Sequence, residues 1–492
     1  MAKRLLDVVL VGAVSKGVAG ASQCAASTGS QIDLGWHAPN ASAINDLGSV
    51  VNGTGVYGFI FNSSLTPATS GYSTYNWCNM PHVRPQEYVV PPSELKLEYV
   101  EVIHRHHKRT PYAANTFPRE TYSWSCADAA LFYYGTPRPD GTSAQINWQV
   151  ATSDSNPLAP DGFNGSCQFP QISGQGLNDS RQHGQDLFDV YHGLLNFLPA
   201  EYDPKKVAYR VTNNVITSQV VGQVIEGQFP KQLTNAPIGV SIQPASIDSL
   251  EPAYTCATAD TLRAAYGVGS HAANWTQHLN ASAALFAKLD AVSGVNTTAP
   301  AWHNWFDHYF DNLSARLCHQ KPLPCAAANS SNCITDEEAE AVFRAGIYEY
   351  SFIYRDAPQS LAASTAGFGI WMAELAGHLR GVVNTATGGA GDGGDGGILY
   401  RHNVAHDGSI SRLLSILQLD VMVWPGMGSE VVFELYSRNA CYFLRVLWGG
   451  QVLRSSNPSL GRLDLVPVQK FLDYVDGLVG VKAQKVPGLC KG

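Results

Sequence analysis

The sequence predicts an α/β fold in which a parallel-type central sheet is flanked by helices and carries an inserted α-helical domain. Three observations lead to this prediction: strand and helix patterns alternate over 91–240, helical patterns dominate 241–389, and strand and helix patterns return over 390–492. Alternating strands and helices are typical of parallel sheets with right-handed crossovers. With 492 residues, 45% of them hydrophobic, the chain is long enough to bury a large core.

The first half of the predicted core begins with a strand near residue 95. Apolar and charged residues alternate from Leu95 to Tyr99, and a run rich in β-branched residues follows. Apolar residues then fall on one helical stripe in 180–199 and again in 220–230, with a short strand pattern at 205–214 between them. This order predicts a strand–helix–strand–helix unit.

The middle segment, 241–389, differs from what precedes it. It carries four cysteines and several helical patterns, and we interpret it as a helical insertion domain. After a Gly-rich stretch, 398–407 reads as another core strand leading into a helix. The runs 429–436 and 441–448 are expected to pair as antiparallel strands, and a helix closes the core near residue 470.

The N-terminal 90 residues are expected to lie outside the sheet. Residues 1–21 resemble a secretory signal peptide, because Lys3 and Arg4 precede a short apolar run that ends at small residues. Residues 22–90 are rich in Ser, Asn, Gly, Thr and Pro. We expect them to form an irregular extension, pinned by Cys24 and Cys78.

Cysteines and glycosylation sequons favour an extracellular protein. The ten cysteines form no C-x-x-C pair, which favours disulfides over a zinc site. N-x-S/T sequons begin at Asn40, Asn52, Asn62, Asn164, Asn178, Asn274, Asn280, Asn296, Asn312 and Asn329. We therefore expect a secreted protein that carries N-glycans.

Net charge and hydropathy argue against a nucleic-acid partner and against a membrane span. The formal net charge is −8 and the basic residues show no broad excess, so the chain is not expected to bind nucleic acid. No stretch after the N-terminal segment is long and apolar enough to span a membrane.

The run "HRHHKRT", His104 to Thr110, follows the first core strand and contains only cationic or titratable groups before its final Thr. It has three interpretations: an anion site, a metal site or a basic loop. Ligands bind at the carboxyl edge of parallel sheets, where these residues are expected to lie. Two arginines can fork around phosphate oxygens, and a neutral His between them can attack phosphorus. Because His104 and His106 are expected to share a strand face and no zinc motif accompanies them, the metal interpretation is disfavoured.

A second strand end supplies a candidate acid. The segment "VAHDGSI" places His406 and Asp407 at the end of one strand and the start of a helix. Phosphoryl transfer needs positive charge and an acid that protonates the leaving oxygen, and a helix N-terminus adds N–H donors for an anion.

Five segments, in order, resemble motifs of the histidine acid phosphatases, branch 2 of the histidine phosphatase superfamily. "RHHKRTP" is similar to R-H-G-x-R-x-P, and "HD" to that family's second motif. "GQGLNDSRQHGQD", "YRVTNNVITSQ" and "SEVVFELY" resemble its intervening and late segments. The resemblance implies a phosphoglycerate mutase-like α/β core, hydrolysis of phosphomonoesters through a phosphohistidine, and no metal or organic cofactor.

The resemblance also implies a role for individual residues. His106 matches the nucleophile, Asp407 the general acid, and Arg105, Arg109 and His406 the phosphate-binding residues. The implied partner is a small phosphorylated substrate.

Two departures from the motifs stand out. His107 replaces the motif Gly, and Ile216 stands where the family has a third phosphate-binding Arg. Arg210 precedes Ile216 by six residues. Either Arg210 substitutes, or the alignment with the family motif slips, or the site is weakened, and we expect the Arg210 guanidinium to lie outside the pocket. The sequence therefore predicts a secreted acid phosphatase. The alternatives are a catalytically weakened or inactive member that binds extracellular phosphorylated or other anionic ligands, and phosphoryl transfer to an acceptor other than water.

Overall fold

The structure is a computed structural model, and it describes residues 31–56, 76–120, 123–129, 131–134, 145–148, 150–151, 153, 155–158, 165–230, 237–252, 254–386 and 397–491. The predicted signal peptide and Cys24 lie outside these residues. The strands are β1 Lys96–Arg105, β2 Leu131–Tyr134, β3 Gln145–Trp148, β4 Val207–Val211, β5 Val240–Ser241, β6 Cys325–Ala326, β7 Asn329–Cys333, β8 Tyr400–Ala405, β9 Glu430–Arg438, β10 Cys441–Trp448, β11 Gln451–Val452 and β12 Val466–Pro467.

Helices account for most of the remaining regular structure. They are α1 Leu47–Asn52, α2 Gly174–Phe188, α3 Val215–Gln228, α4 Ala257–Tyr266, α5 Ala273–Ala281, α6 Ala283–Ser293, α7 Pro300–His303, α8 Asp307–Cys318, α9 Asp336–Ser351, α10 Ser360–Ala386, α11 Asp407–Ile416, α12 Val468–Val479 and α13 Val486–Leu489. Within the described residues, no helix combines the length and apolar character needed to cross a bilayer.

The central sheet confirms the predicted α/β class. Its strand order is β11-β10-β9-β1-β8-β4-β5, with β12 paired to β10. β1, β8, β4 and β5 are mutually parallel, whereas β9 runs antiparallel to β1 and forms the expected hairpin with β10. Parallel neighbours place their carboxyl ends at one edge of the sheet, which is where ligands bind in such folds.

Side chains of β1 alternate between two hydrophobic cores, because successive strand residues point to opposite faces. Tyr99 and Ile103 join one core, in which α10, α11 and α12 pack together. Val100 and Val102 join the other, which α2 and α3 cover. α10, at the end of the segment interpreted as the helical insertion, also contacts β1.

Cys78 pins the N-terminal extension to the helical segment, because it bonds to Cys318 at the end of α8. The pairing of Cys24 lies outside the described residues. Trp77 explains the contact, because its ring packs 5.0 Å from that of Phe310 on the same helix. The other described disulfides are Cys126–Cys167, Cys256–Cys490 and Cys325–Cys333, and Cys441 is disulfide-bonded as well.

Candidate active site

Three parallel strands bring the sequence-predicted residues to one edge of the sheet. Arg105, the last residue of β1, pairs in register with Ala405, the last residue of β8. The backbone N–H of His106 donates to the Ala405 carbonyl at 3.0 Å, so the pairing continues one residue past the strand. β4 ends beside β8, with Val211 opposite Val404. Residues separated by 300 positions in the chain therefore become neighbours.

His106 is buried and its ring is oriented from behind. Its Nδ1 lies 3.0 Å from the carbonyl oxygen of His107, which fixes a proton on Nδ1 and leaves a lone pair on Nε2. Burial, together with the positive charges of Arg109 and Arg105, lowers the pKa of His106 well below its usual value. The imidazole is therefore neutral, the form in which it is a nucleophile.

The two arginines of the motif are buried on either side of His106 in the sequence and are held by different partners. Arg105 donates to the Pro425 carbonyl at 2.7 Å and pairs with Asp407 at 3.0 Å. Arg109 pairs with Asp311 at 2.9 Å. Aromatic faces support both guanidinium groups, Trp77 under Arg105 and Tyr112 under Arg109. The two guanidinium groups are therefore already oriented in the absence of a bound anion.

His406 and Asp407 begin α11. The His406 ring lies 5.5 Å from that of His106, and its Nε2 is 2.9 Å from Thr212 Oγ1 and 3.2 Å from Glu251 Oε2. Asp407 accepts the Trp424 indole N–H at 2.9 Å in addition to its pair with Arg105. Although burial opposes it, Arg105 and Trp424 hold the pKa of Asp407 below its usual value. Without an anion, the carboxyl group is therefore ionised.

A cavity of about 390 Å³ opens onto this strand edge. His406 and Asp407 line it, as do Glu251, Asp248 and Arg412. Arg412 lies on α11, one turn beyond Asp407, and its Nη1 donates to the Gly408 carbonyl at 2.8 Å. The cavity wall is therefore of mixed charge, with carboxylates as well as cations.

The segment from β4 to α3 does not supply the third guanidinium. Arg210 pairs with Asp248 at 3.0 Å and with Glu374 at 2.9 Å, and it also bonds Gln243 and Ser249. Ile216 is fully buried in the core under α3. An Arg at position 216 would bury a charge among aliphatic side chains, so Ile216→Arg would not supply a phosphate ligand.

The sequence reasoning missed the residues that hold the site in place. Asp311 lies on α8 and binds Arg109, Asn115 and the Tyr112 backbone N–H. Trp424, Thr212 and Glu251 were missed as well. Asp311, Trp424 and Glu251 lie outside the motif segments and carried no pattern of their own, since a lone acid or Trp in a helical or loop segment is normally structural. Thr212 lies within "YRVTNNVITSQ", but the resemblance assigned it no role.

The basic run divides into two groups. His104 and His106 were expected to share a strand face, but β1 ends at Arg105 and the alternation stops there. The His104 ring instead contacts those of His107, His183 and His402. His106 contacts His406. The basic run therefore contributes side chains to two separate clusters, one with His104 and His107 and the other with His106.

Comparison with known proteins gives one sequence relative and several structural ones. No family model matches the chain. It is 22% identical to counting factor 60 of Dictyostelium discoideum over 366 residues, which cover 73% of this chain and 80% of that protein. Hafnia alvei phytase in complex with myo-inositol hexakis sulphate superposes with a TM-score of 0.52 at 13% identity, covering 80% of this chain and 100% of that one.

A second solved structure, the phytase from Citrobacter braakii, gives a TM-score of 0.48 at 14% identity, covering 79% of this chain and 99% of that one. The match to the Hafnia alvei phytase shows that the chain has that enzyme's fold. The resemblance to the histidine acid phosphatases noted in the sequence is thereby confirmed at the level of fold.

Proposed function

We propose that the protein is a secreted acid phosphatase that hydrolyses phosphomonoesters through a covalent phosphohistidine on His106. The observation that carries this proposal is the His106 ring itself. Its Nδ1 is tied to the His107 carbonyl, its ring lies 5.5 Å from that of His406, and the charges of Arg109 and Arg105 act on it. A neutral, oriented imidazole among fixed cations suits nucleophilic attack on phosphorus.

In the first step, His106 Nε2 attacks phosphorus and the bond from phosphorus to the ester oxygen breaks. The Arg105 and Arg109 guanidinium groups and His406 hold the equatorial oxygens, where charge is spread in the transition state. Because these groups are already oriented by Pro425, Asp311 and Thr212, little reorganisation is needed during the reaction. The positive charge comes from side chains, so the reaction uses no metal ion.

Asp407 is assigned the acid role. In the free enzyme it is ionised and paired with Arg105. A bound phosphate competes for Arg105, which weakens the effect that lowers the pKa of Asp407, and the carboxyl group can take up a proton and pass it to the leaving alkoxide. In the second step the carboxylate accepts a proton from water as the water attacks the phosphohistidine, releasing phosphate.

Turnover of an aryl phosphate by the purified protein tests this proposal. We expect activity that is highest at acidic pH, needs no added metal ion and is inhibited by vanadate. Asp311→Asn is a useful companion variant, since it leaves the cavity lining unchanged but removes the carboxylate that orients Arg109. Absence of turnover on aryl and alkyl phosphates alike would contradict the proposal.

One observation favours the alternative of a phospholigand-binding protein with weak or no catalysis. Arg210 is engaged by Asp248 and Glu374, and Ile216 is in the core, so this segment gives no third guanidinium. A phospholigand-binding protein would show binding of inorganic phosphate or a phosphomonoester in isothermal titration calorimetry but would not hydrolyse the ester. His106→Ala would then leave affinity nearly unchanged.

Secretion and N-glycosylation are part of the proposal. Four described disulfides support an oxidising compartment. Among the described sequon asparagines, Asn40, Asn52, Asn178, Asn274, Asn280, Asn296 and Asn329 are exposed. Asn312 is fully buried and donates to the Asn115 carbonyl, so its sequon is not expected to carry a glycan. Glycopeptide mapping of the secreted protein tests both statements.

A further inference from the structure

A cluster of imidazole rings lies on the face of the sheet opposite the phosphate-binding arginines. His104 lies next to the last residue of β1, on the face of the sheet that α2 covers. His107 follows the strand, and His183 lies on α2. Their ring centroids are 4.6 to 5.7 Å apart, and all three side chains are fully buried. One nitrogen of each ring lies within 4.8 Å of a nitrogen of both others.

Groups outside the cluster fix the proton on two of these rings. His104 Nδ1 lies 2.8 Å from the Arg105 carbonyl, and His183 Nε2 lies 2.8 Å from Glu430 Oε2. An imidazole that donates one N–H outward presents its other nitrogen as a lone pair. His104 Nε2 and His183 Nδ1 are thereby left as acceptors toward the cluster. A carbonyl or carboxylate behind each ring is the usual support of a metal-binding His.

Hydrogen bonding among the rings does not satisfy the cluster. His107 Nε2 and His183 Nδ1 are 3.1 Å apart and can share one proton. Among the described residues, however, His104 Nε2 and His107 Nδ1 are buried with no hydrogen-bond partner. Burying a polar nitrogen without a hydrogen-bond partner is unfavourable. A cation bound to the lone pairs removes part of this cost.

The distances suit a transition metal after a small contraction. Two imidazole nitrogens 2.0–2.1 Å from a tetrahedral zinc ion are roughly 3.3–3.4 Å apart. The His107–His183 pair is already near that value, and the ring of His104 would close by on the order of an ångström. Imidazole ligands suit zinc, copper and nickel, whereas calcium and magnesium need oxygen.

Charge compensation for a divalent ion is present. Glu430 backs His183, and Asp186 pairs with His82, whose ring stacks on that of His183 at 4.1 Å. Glu430 therefore contacts a ring of the cluster directly and Asp186 lies one imidazole farther away, and buried charges are tolerated only where such compensation exists.

We propose that His104, His107 and His183 bind one divalent transition-metal ion, zinc in the first instance, at a structural site behind the phosphate pocket. Its ligands flank Arg105 and His106 in sequence, and the carbonyl of His107 orients the His106 ring. The ion would thus fix the loop that carries the phosphate-binding residues without touching the substrate. The site does not depend on the phosphatase proposal, because metal binding is its readout.

The ligand His107 occupies the position of Gly in the R-H-G-x-R-x-P motif, so the proposed site depends on this chain's departure from that motif. The space for its ring comes from Gly428, which has φ +70°; a Cβ there would lie 2.4 Å from His107 Cε1. Replacing His107 by Gly removes one ligand and gives the motif residue, so His107→Gly is the variant best suited to fold without the cluster.

The test measures metal in the full chain, expressed in zinc-supplemented medium and purified without chelators. We expect about one zinc per chain by mass spectrometry in wild type. His107→Gly and His183→Gln should each hold less than about a tenth of that. The matched control is His278→Gln, because His278 is also a buried His paired with a carboxylate, Glu349 at 2.7 Å, but lies outside the cluster. It should keep its zinc.

Two outcomes would overturn the proposal. One is wild-type protein that holds no stoichiometric metal, whether isolated from zinc- or cobalt-supplemented medium. The other is a His107→Gly variant that binds as much as wild type, which would place the ion elsewhere. The visible spectrum of the cobalt-loaded wild type provides a second readout that needs no variant, because tetrahedral imidazole coordination gives intense bands that six-coordinate cobalt lacks.

Discussion

The ends of β1 and β4 differ in what they bring to the same edge of the sheet. β1 ends in Arg105 and leads directly into His106 and Arg109. β4 ends at Val211. Arg210, within β4, joins an ion-pair network, and Ile216, in the following helix α3, is buried in the core. Arg105 and His106 reach the site from the end of β1 and just past it. Arg210, one position before the end of β4, points to a face of the sheet, and Ile216, inside α3, is directed by that helix's packing.

This contrast also explains how the site's positive charge is distributed. Arg105, Arg109 and His406 come from the β1 and β8 ends, and no guanidinium comes from the β4 side. Arg412, on α11, lines the cavity next to Asp407. We expect Arg412, and not Arg210, to contribute to anion binding, and the following substitutions compare the two sides.

The largest effect is expected at the β1 end. His106→Ala should lower kcat by about 10⁴-fold or more, because it removes the proposed nucleophile. Steady-state kinetics on an aryl phosphate measure this. His192→Gln, a change of a half-buried His packed on Phe188, should leave kcat within about threefold of wild type.

Asp407→Asn should have the next largest effect, and that effect should depend on the leaving group. Alkyl phosphates need protonation of a poor leaving group, so their kcat should fall by about 10²- to 10³-fold. Aryl phosphates with good leaving groups should lose about tenfold or less. Rates on a series of leaving groups decide the question, and equal losses across the series would remove Asp407 from the acid role.

Substitutions of Arg412 and Arg210 compare the two sides directly. Arg412→Ala should raise KM about 10- to 100-fold, because it removes a charge-assisted donor from the cavity, and Arg412→Lys should recover part of the loss. Arg210→Ala should change kcat/KM less than about threefold but lower thermal stability, since Asp248 and Glu374 lose their partner. The reverse ranking would show that the β4 side does reach the substrate.

The smallest effect concerns Glu251, which supports His406 from beside the cavity. Although burial opposes it, the hydrogen bond and charge of His406 hold the pKa of Glu251 below its usual value. A depressed carboxyl pKa gives stability that is present above about pH 4.5 and is lost as pH falls through the folded-state value. The Glu251 side chain is 47% exposed, so solvent limits this stability to about 0.5–1 kcal/mol.

Denaturant unfolding of Glu251→Gln at several pH values measures that small difference. The variant should be less stable than wild type near neutral pH, and the two should converge as pH falls below 4.5, the ordinary carboxyl pKa. A difference that grows as pH falls would contradict the proposed pairing with His406.

Sequence patterns predicted the strands better than their tertiary partners. The class of the sheet was predicted from three local features: the alternation at β1, the β9–β10 hairpin and the "VAHDGSI" strand end. Period-two patterning and turn residues can be recognised without knowing the tertiary contacts. The Cys78–Cys318 bond was not predictable, since a pairing across 240 residues depends on the packing of Trp77 against α8. The same applies to Asp311, because its ion pair with Arg109 spans 202 residues and depends on how α8 packs.

The candidate site shows the same division. The two motifs predicted which residues meet at the sheet edge, because they follow directly from strand ends. They could not separate His104 from His106, since that depends on β1 ending at Arg105. The imidazole cluster needed the contribution of α2, and no spacing in the sequence relates His183 to His104 and His107.

Trapping of the covalent intermediate tests the central claim most directly. Wild-type protein would be mixed with labelled phosphomonoester, quenched during turnover, digested and mapped. We predict that label is found on His106 in the acid-labile, alkali-stable form of a phosphohistidine, and that the His106→Ala protein carries none. Label on a Ser or Asp side chain, or turnover with no label on wild type under rapid quench, would contradict the account.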